Sequence, residues 1–123
     1  MPKRVLSVGQ CVPDHTALTS YLRGNFAAEV VKVDLADEAL DALRKGSYDL
    51  VLINRKLDAD YSDGLEILRA IKADPQMAAA PVMLVTNYEE HQDAAVSAGA
   101  VRGFGKLEYG DPQTAEKLRP FLG

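Results

Sequence analysis

Apolar positions along the chain fall into two kinds of run, short unbroken ones and longer ones in which they recur every three or four residues. Val5, Leu6 and Val8 form a short run ending at Gly9; after the Pro13-Asp14 step, Leu18, Tyr21 and Leu22 recur at helical spacing. The alternation repeats, with a β-branched stretch from Glu29 to Val33 and then Ala39, Leu40 and Leu43 on one helical face that ends at Gly46. Residues 49 to 54 (DLVLIN) carry an unbroken apolar run, the mark of a strand covered on both faces. Leu65, Leu68 and Ile71 mark a third helix that stops at Asp74-Pro75, because proline disfavours helical geometry in the residue before it. Pro81 to Thr86 predicts a fourth strand, and Glu89 to Ala98 an alanine-rich helix stopped by Gly99. Val101 to Gly105 predicts a fifth, glycine-containing strand, and Ala115, Leu118, Phe121 and Leu122 place a stripe on a last helix.

Five strands alternating with five helices through short connections predict an α/β fold, a (βα)5 three-layer sandwich with helices on both faces of a parallel sheet. In such sheets functional groups gather at the carboxyl ends of the strands, here strands one, three, four and five. The length of 123 residues suits a single domain over 1–123. Fourteen Lys and Arg against 18 Asp and Glu leave a net charge of -4, which argues against a nucleic-acid partner. The lone Cys11 has no partner for a disulfide within the chain, and no stretch reaches the roughly 20 apolar residues that span a bilayer. Neither a membrane association nor a signal peptide is expected, and the expected compartment is the cytoplasm.

Four stretches in order, DLVLIN at 49–54, DGLEILR at 63–69, APVMLVT at 80–86 and AGA at 98–100, are followed by Lys106 six residues further on. Together they resemble the receiver domain of bacterial response regulators, CheY-like modules of two-component signalling. The resemblance covers roughly residues 4 to 121 and implies a flavodoxin-like parallel sheet of strand order 2-1-3-4-5. It also implies a site in which an acidic pair after the first strand binds Mg²⁺ and an aspartate ending the third strand accepts a phosphoryl group.

This chain departs from that pattern where the chemistry resides. The acidic pair falls on Gly9 and Gln10, and the acceptor on Asn54, whose amide is not a nucleophile that forms an acyl phosphate. The resemblance therefore points to a degenerate pseudo-receiver with a vestigial phosphorylation site (Asn54, Thr86, Lys106), vestigial metal positions (Gly9, Gln10), no Mg²⁺ cofactor and no enzymatic activity. Thr86 and Lys106 match the family's hydroxyl and lysine. In the switch region Asn87 replaces the usual small residue, and Gly103 stands where the family has an aromatic, with Phe104 one step beyond. Leu107 replaces the proline that commonly follows the lysine, so a trans Lys106-Leu107 bond is expected. The loop after Asn54 is about two residues longer than in the family.

The function expected from these features is a phosphorylation-independent protein-interaction module. Its partner would be a histidine kinase or an output domain, met, as the resemblance implies, through helix 4, strand 5 and helix 5. Two alternatives stand beside it: phosphorylation on an unconventional acceptor, Asp58 or Asp60, and sensing of a small anion in the emptied pocket with Lys106 as its charge. Either Asp58 or Asp60 is also a candidate to fold back on Lys106 in place of the lost carboxylates. The spacing of Asp58, Asp60 and Asp63 does not match a calcium-binding loop. Cys11 reads as structural, His15 and His91 as isolated surface or helix-end residues, Pro13-Asp14 as a helix start with only a secondary reading of Asp14 as a Mg²⁺ ligand, and Tyr109 to Pro112 as a turn.

Overall fold

The computed structural model, which describes residues 2–123, turns these periodicities into alternating strands and helices. They are β1 (Arg4–Val8), α1 (Val12–Phe26), β2 (Glu29–Val33), α2 (Ala36–Lys45), β3 (Leu50–Asn54), α3 (Gly64–Ala73), β4 (Val82–Val85), α4 (Glu89–Ser97) and α5 (Pro112–Leu122). The strands pair in parallel in the order β2-β1-β3-β4. Leu6 lies between Val31 and Val51, and Ile53 between Val8 and Leu84.

Alternation along each strand sends side chains to two separate cores. Leu6, Val8, Val51, Ile53, Val82 and Leu84 face α2, α3 and α4 through Ala39, Leu43, Ile67, Leu68, Ile71 and Ala95. Val5, Leu50, Leu52, Met83 and Val85 face α1 and α5 through Leu18, Leu22, Leu118 and Leu122. Each fully buried Leu, Ile or Val contributes about 1.5–3 kcal/mol, so the unbroken strands β3 and β4 anchor both layers. Helix starts are secured locally. Glu38 Oε1 reaches back to the Asp34 and Leu35 amides (2.9 and 3.0 Å), while Asp63 and Asp111 each accept from the amide two residues on (2.9 Å).

The expected fifth strand does not form among the described residues. The segment Val101 to Gly105 makes a single parallel bridge, Phe104 beside Val85, so it lies where a fifth strand would lie without completing a ladder. The physical reason is Gln92, a buried residue of α4 inserted at this edge. Its Nε2 donates to the carbonyls of Leu84 (3.0 Å) and Thr86 (3.3 Å), and its Oε1 accepts from Gly103 N (2.9 Å). A side-chain amide thus satisfies backbone groups that a continuous strand pair would satisfy. From the other side, Lys117 Nζ of α5 donates to the Gly103 carbonyl at 3.1 Å.

Candidate functional site

The parallel order places the ends of β1, β3 and β4 on one edge, and with them Gly9, Gln10, Asn54 and Thr86. Gly9 has φ +77°, and a Cβ there would lie 2.4 Å from Leu57 Cγ, so only glycine fits. Leu57, fully buried, belongs to the loop after β3 and occupies the space in which a side chain at position 9 would extend. The Gly9 carbonyl accepts two hydrogen bonds, from Asp58 N (3.0 Å) and from Asn54 Nδ2 (3.1 Å). Asn54 is therefore buried with its amide nitrogen engaged across the strand ends. Gln10 is buried as well, with an unpartnered Nε2.

These donors do not fit a divalent cation. Gly9, Gln10 and Asn54, where the resemblance implies carboxylates, present a hydrogen and two neutral amides, one amide already donating and the other holding a buried N–H₂. Among the described residues no group of three or more His, Cys, Asp or Glu side chains is placed to hold a metal ion.

Thr86 Oγ1 lies 3.3 Å from His91 Nδ1 and accepts from Tyr88 N at 3.4 Å, which ties the end of β4 to the first turn of α4 rather than to Asn54. His91 thus meets a neighbour where isolation was expected, and packs edge-on to the Tyr88 ring. Lys106 is likewise not extended into solvent. Its Nζ pairs with Asp14 Oδ2 at 2.5 Å, so the carboxylate that meets the lysine comes from the start of α1 and not from Asp58 or Asp60. Burial alone would raise the Asp14 carboxyl, but the hydrogen bonds from Lys106 and Cys11 and the lysine's charge outweigh it and hold Asp14 below its ordinary value of 3.8. Asp60 turns inward on its own loop, accepting from Ser62 Oγ (2.6 Å) and Ser62 N (2.9 Å), and these bonds lower its carboxyl.

The switch-region positions behave differently from the family pattern. At Gly103 a Cβ would lie 2.3 Å from the Leu84 carbonyl, so no aromatic fits there as the backbone stands. Phe104 is fully buried in the core shared with α1 and α5, and its carbonyl accepts from Thr86 N at 3.1 Å. Asn87 Oδ1 accepts from Leu107 N at 3.2 Å, and the Lys106-Leu107 bond is trans, there being no cis peptide among the described residues. Nearby, burial in the first place, with Asp14 and Tyr21, pushes the Tyr109 phenol up to about 12.

An open cavity of about 240 Å³ lies over this edge, lined by Asn54, Arg55, Lys56, Val85, Thr86, Asn87, Tyr88, His91 and Lys106. Three of the nine are Lys or Arg and none is Asp or Glu. Sequence reasoning brought out Asn54, Thr86, Asn87 and Lys106 but passed over Arg55 and Lys56, a basic pair directly after a strand end. It also passed over Gln92, whose signal was a polar residue three positions before the buried Ala95 on the same helical face.

A family model described as the response regulator receiver domain matches residues 11–107. Among solved structures, the chain is similar to a protein from Chloroflexus aurantiacus described as a response regulator (21% identity, TM-score 0.83, covering 99% of this chain and 98% of that one). It is also similar to a bacteriophytochrome response regulator (28% identity, TM-score 0.74, 100% and 96% covered). A third likeness is to the receiver domain of a sensor histidine kinase from Pseudomonas aeruginosa, solved with a magnesium ion coordinated in its active-site cleft (19% identity, TM-score 0.72, 99% and 95% covered).

Proposed function

The chain belongs to the response regulator receiver domain family, and from that membership we propose that it is a receiver that signals by docking a protein partner independently of phosphorylation, taking up no phosphoryl group. The observation that carries this reading is the state of Asn54, a neutral amide buried at the end of β3 whose nitrogen is committed to the Gly9 carbonyl. Acceptance of a phosphoryl group requires an oxygen nucleophile and neutralisation of charge on the moving oxygens. Asn54 lacks the first. Gly9 and Gln10 lack the carboxylates through which the second is achieved by Mg²⁺, and Leu57 closes the space at position 9.

By family likeness the partner is a histidine kinase or an output domain, and the surface is that of α4, the 101–105 segment and α5. In this chain Arg102 pairs with Glu89 and Asp93 of α4 on that surface, and Val96 and Val101 are exposed beside it. Incubation with acetyl phosphate and Mg²⁺ followed by intact-mass measurement tests the proposal, and no phosphoryl increment is expected. A stable increment that peptide mapping assigns to Asp58 or Asp60 would overturn it in favour of an unconventional acceptor.

A further inference from the structure

The edge that carries the vestigial site has a charge and a rim that docking through α4 and α5 leaves unexplained. The chain as a whole is acidic, yet the cavity at the ends of β3 and β4 is lined by Arg55, Lys56 and Lys106 with no carboxylate among its lining residues. Asp63 meets Arg55 at 3.8 Å from outside the cavity and Asp14 meets Lys106, whereas Lys56 has no carboxylate partner among the described residues and lies over the Tyr61 ring at 5.6 Å. Around this charge stand large exposed apolar side chains. Leu107 is 86% exposed, Tyr61 72% and Tyr88 61%. Tyr61 is moreover held at φ +59°, a conformation that is unfavourable for a bulky residue and concentrates at functional positions.

We infer that this edge is a second docking surface, one that receives a carboxylate side chain presented by an apolar segment of a protein partner. The inference rests on the reading that Asn54 carries no phosphoryl group, since such a group would occupy the same cavity. Charge complementarity selects an anion, and Lys56, Lys106 and the Thr86 hydroxyl are donors suited to carboxylate oxygens. Size selects one side chain, because about 240 Å³ is below the roughly 300–1,000 Å³ of sites for drug-sized ligands. The rim selects a protein over a free anion. Tyrosines and a leucine exposed around a polar centre gain by being covered, and aromatic residues are enriched in the buried parts of interfaces.

The test titrates four probes into the isotopically labelled protein and follows its amide resonances. The probes are a capped peptide with one glutamate between leucines, its glutamine twin, acetate and inorganic phosphate. Intact mass recorded before and after acetyl-phosphate treatment reports separately on the phosphorylation reading. The glutamate peptide is expected to shift the Lys56, Thr86, Asn87 and Lys106 amides at about one-tenth the concentration its twin or acetate needs, as a charge-assisted contact implies. Lys56→Glu should abolish that preference, and Leu107→Ser should weaken both peptides alike; both side chains are exposed, and a thermal melt verifies that the variants fold. Equal shifts from the two peptides would overturn the inference, as would acetate or phosphate matching the glutamate peptide, which would mark a site for free anions. Absence of shifts at these four amides would overturn it as well.

Discussion

Replacing Gln92 by leucine removes one buried amide while keeping its approximate volume, and so isolates the polar contacts that stand in for a fifth strand. Three hydrogen bonds go with it, to Leu84 O, Thr86 O and from Gly103 N, at 3.0, 3.3 and 2.9 Å. A typical buried hydrogen bond contributes a net of about 1 kcal/mol, and a buried group left without a partner costs about 1–3 kcal/mol. The expected loss is therefore about 3 kcal/mol, a large part of the roughly 5–15 kcal/mol that holds a domain together. Urea unfolding should show the midpoint fall with little change in slope, because the surface exposed on unfolding is nearly unchanged. Hydrogen exchange at Gly103 N, which loses its Gln92 acceptor, should accelerate more than exchange in β1 or β3. A loss below about 1 kcal/mol with Gly103 still protected would refute the reasoning. It would mean that the 101–105 segment is held by Lys117 and the Phe104 bridge, with the α4 amide incidental.

Asn54→Asp by itself should label poorly with acetyl phosphate and Mg²⁺, because it sets a carboxylate against the Gly9 carbonyl and supplies no further metal ligand; rapid stoichiometric labelling would contradict this. Lys106→Met should let the Asp14 carboxyl rise toward its ordinary value, as a carboxyl-carbon NMR titration would record. Since the folded Asp14 titrates below 3.8, its ion pair stabilises above that pH and the benefit disappears as pH falls through the folded value. The variant's deficit, below about 1 kcal/mol for such an accessible pair, should shrink on acidification. Burial first, and the charge of Lys32 next, hold His15 below 6.5, so the unfolded chain takes up its proton sooner than the folded one. Wild-type stability should therefore decline as pH drops below 6.5, and His15→Gln should remove that component of the slope, measured by unfolding at a series of pH values.

The strands and helices that carry the candidate site were legible in the chain, because each βα unit declares itself within a short window. An unbroken apolar run such as Leu50–Asn54 must be covered on both faces, and a three-to-four spacing such as Leu65, Leu68 and Ile71 covers one of them. Parallel pairing then brings the strand ends to one edge, and Asn54, Thr86 and Lys106, singled out through the resemblance to receivers, all line the cavity there. What each of them touches was not legible. Asp14 meets Lys106, Leu57 fills the space at Gly9, Phe104 turns into the core, and Arg55 and Lys56 give the cavity its sign; all depend on how separate loops close over the edge. The fifth strand failed for the same reason. Local alternation in residues 101 to 105 cannot register that a glutamine on a different element bonds to the strand edge first. Periodicity is a property of a few consecutive residues, whereas hydrogen-bond partners and charge pairs at a junction are chosen among groups distant in the chain, and only the packed structure decides among them.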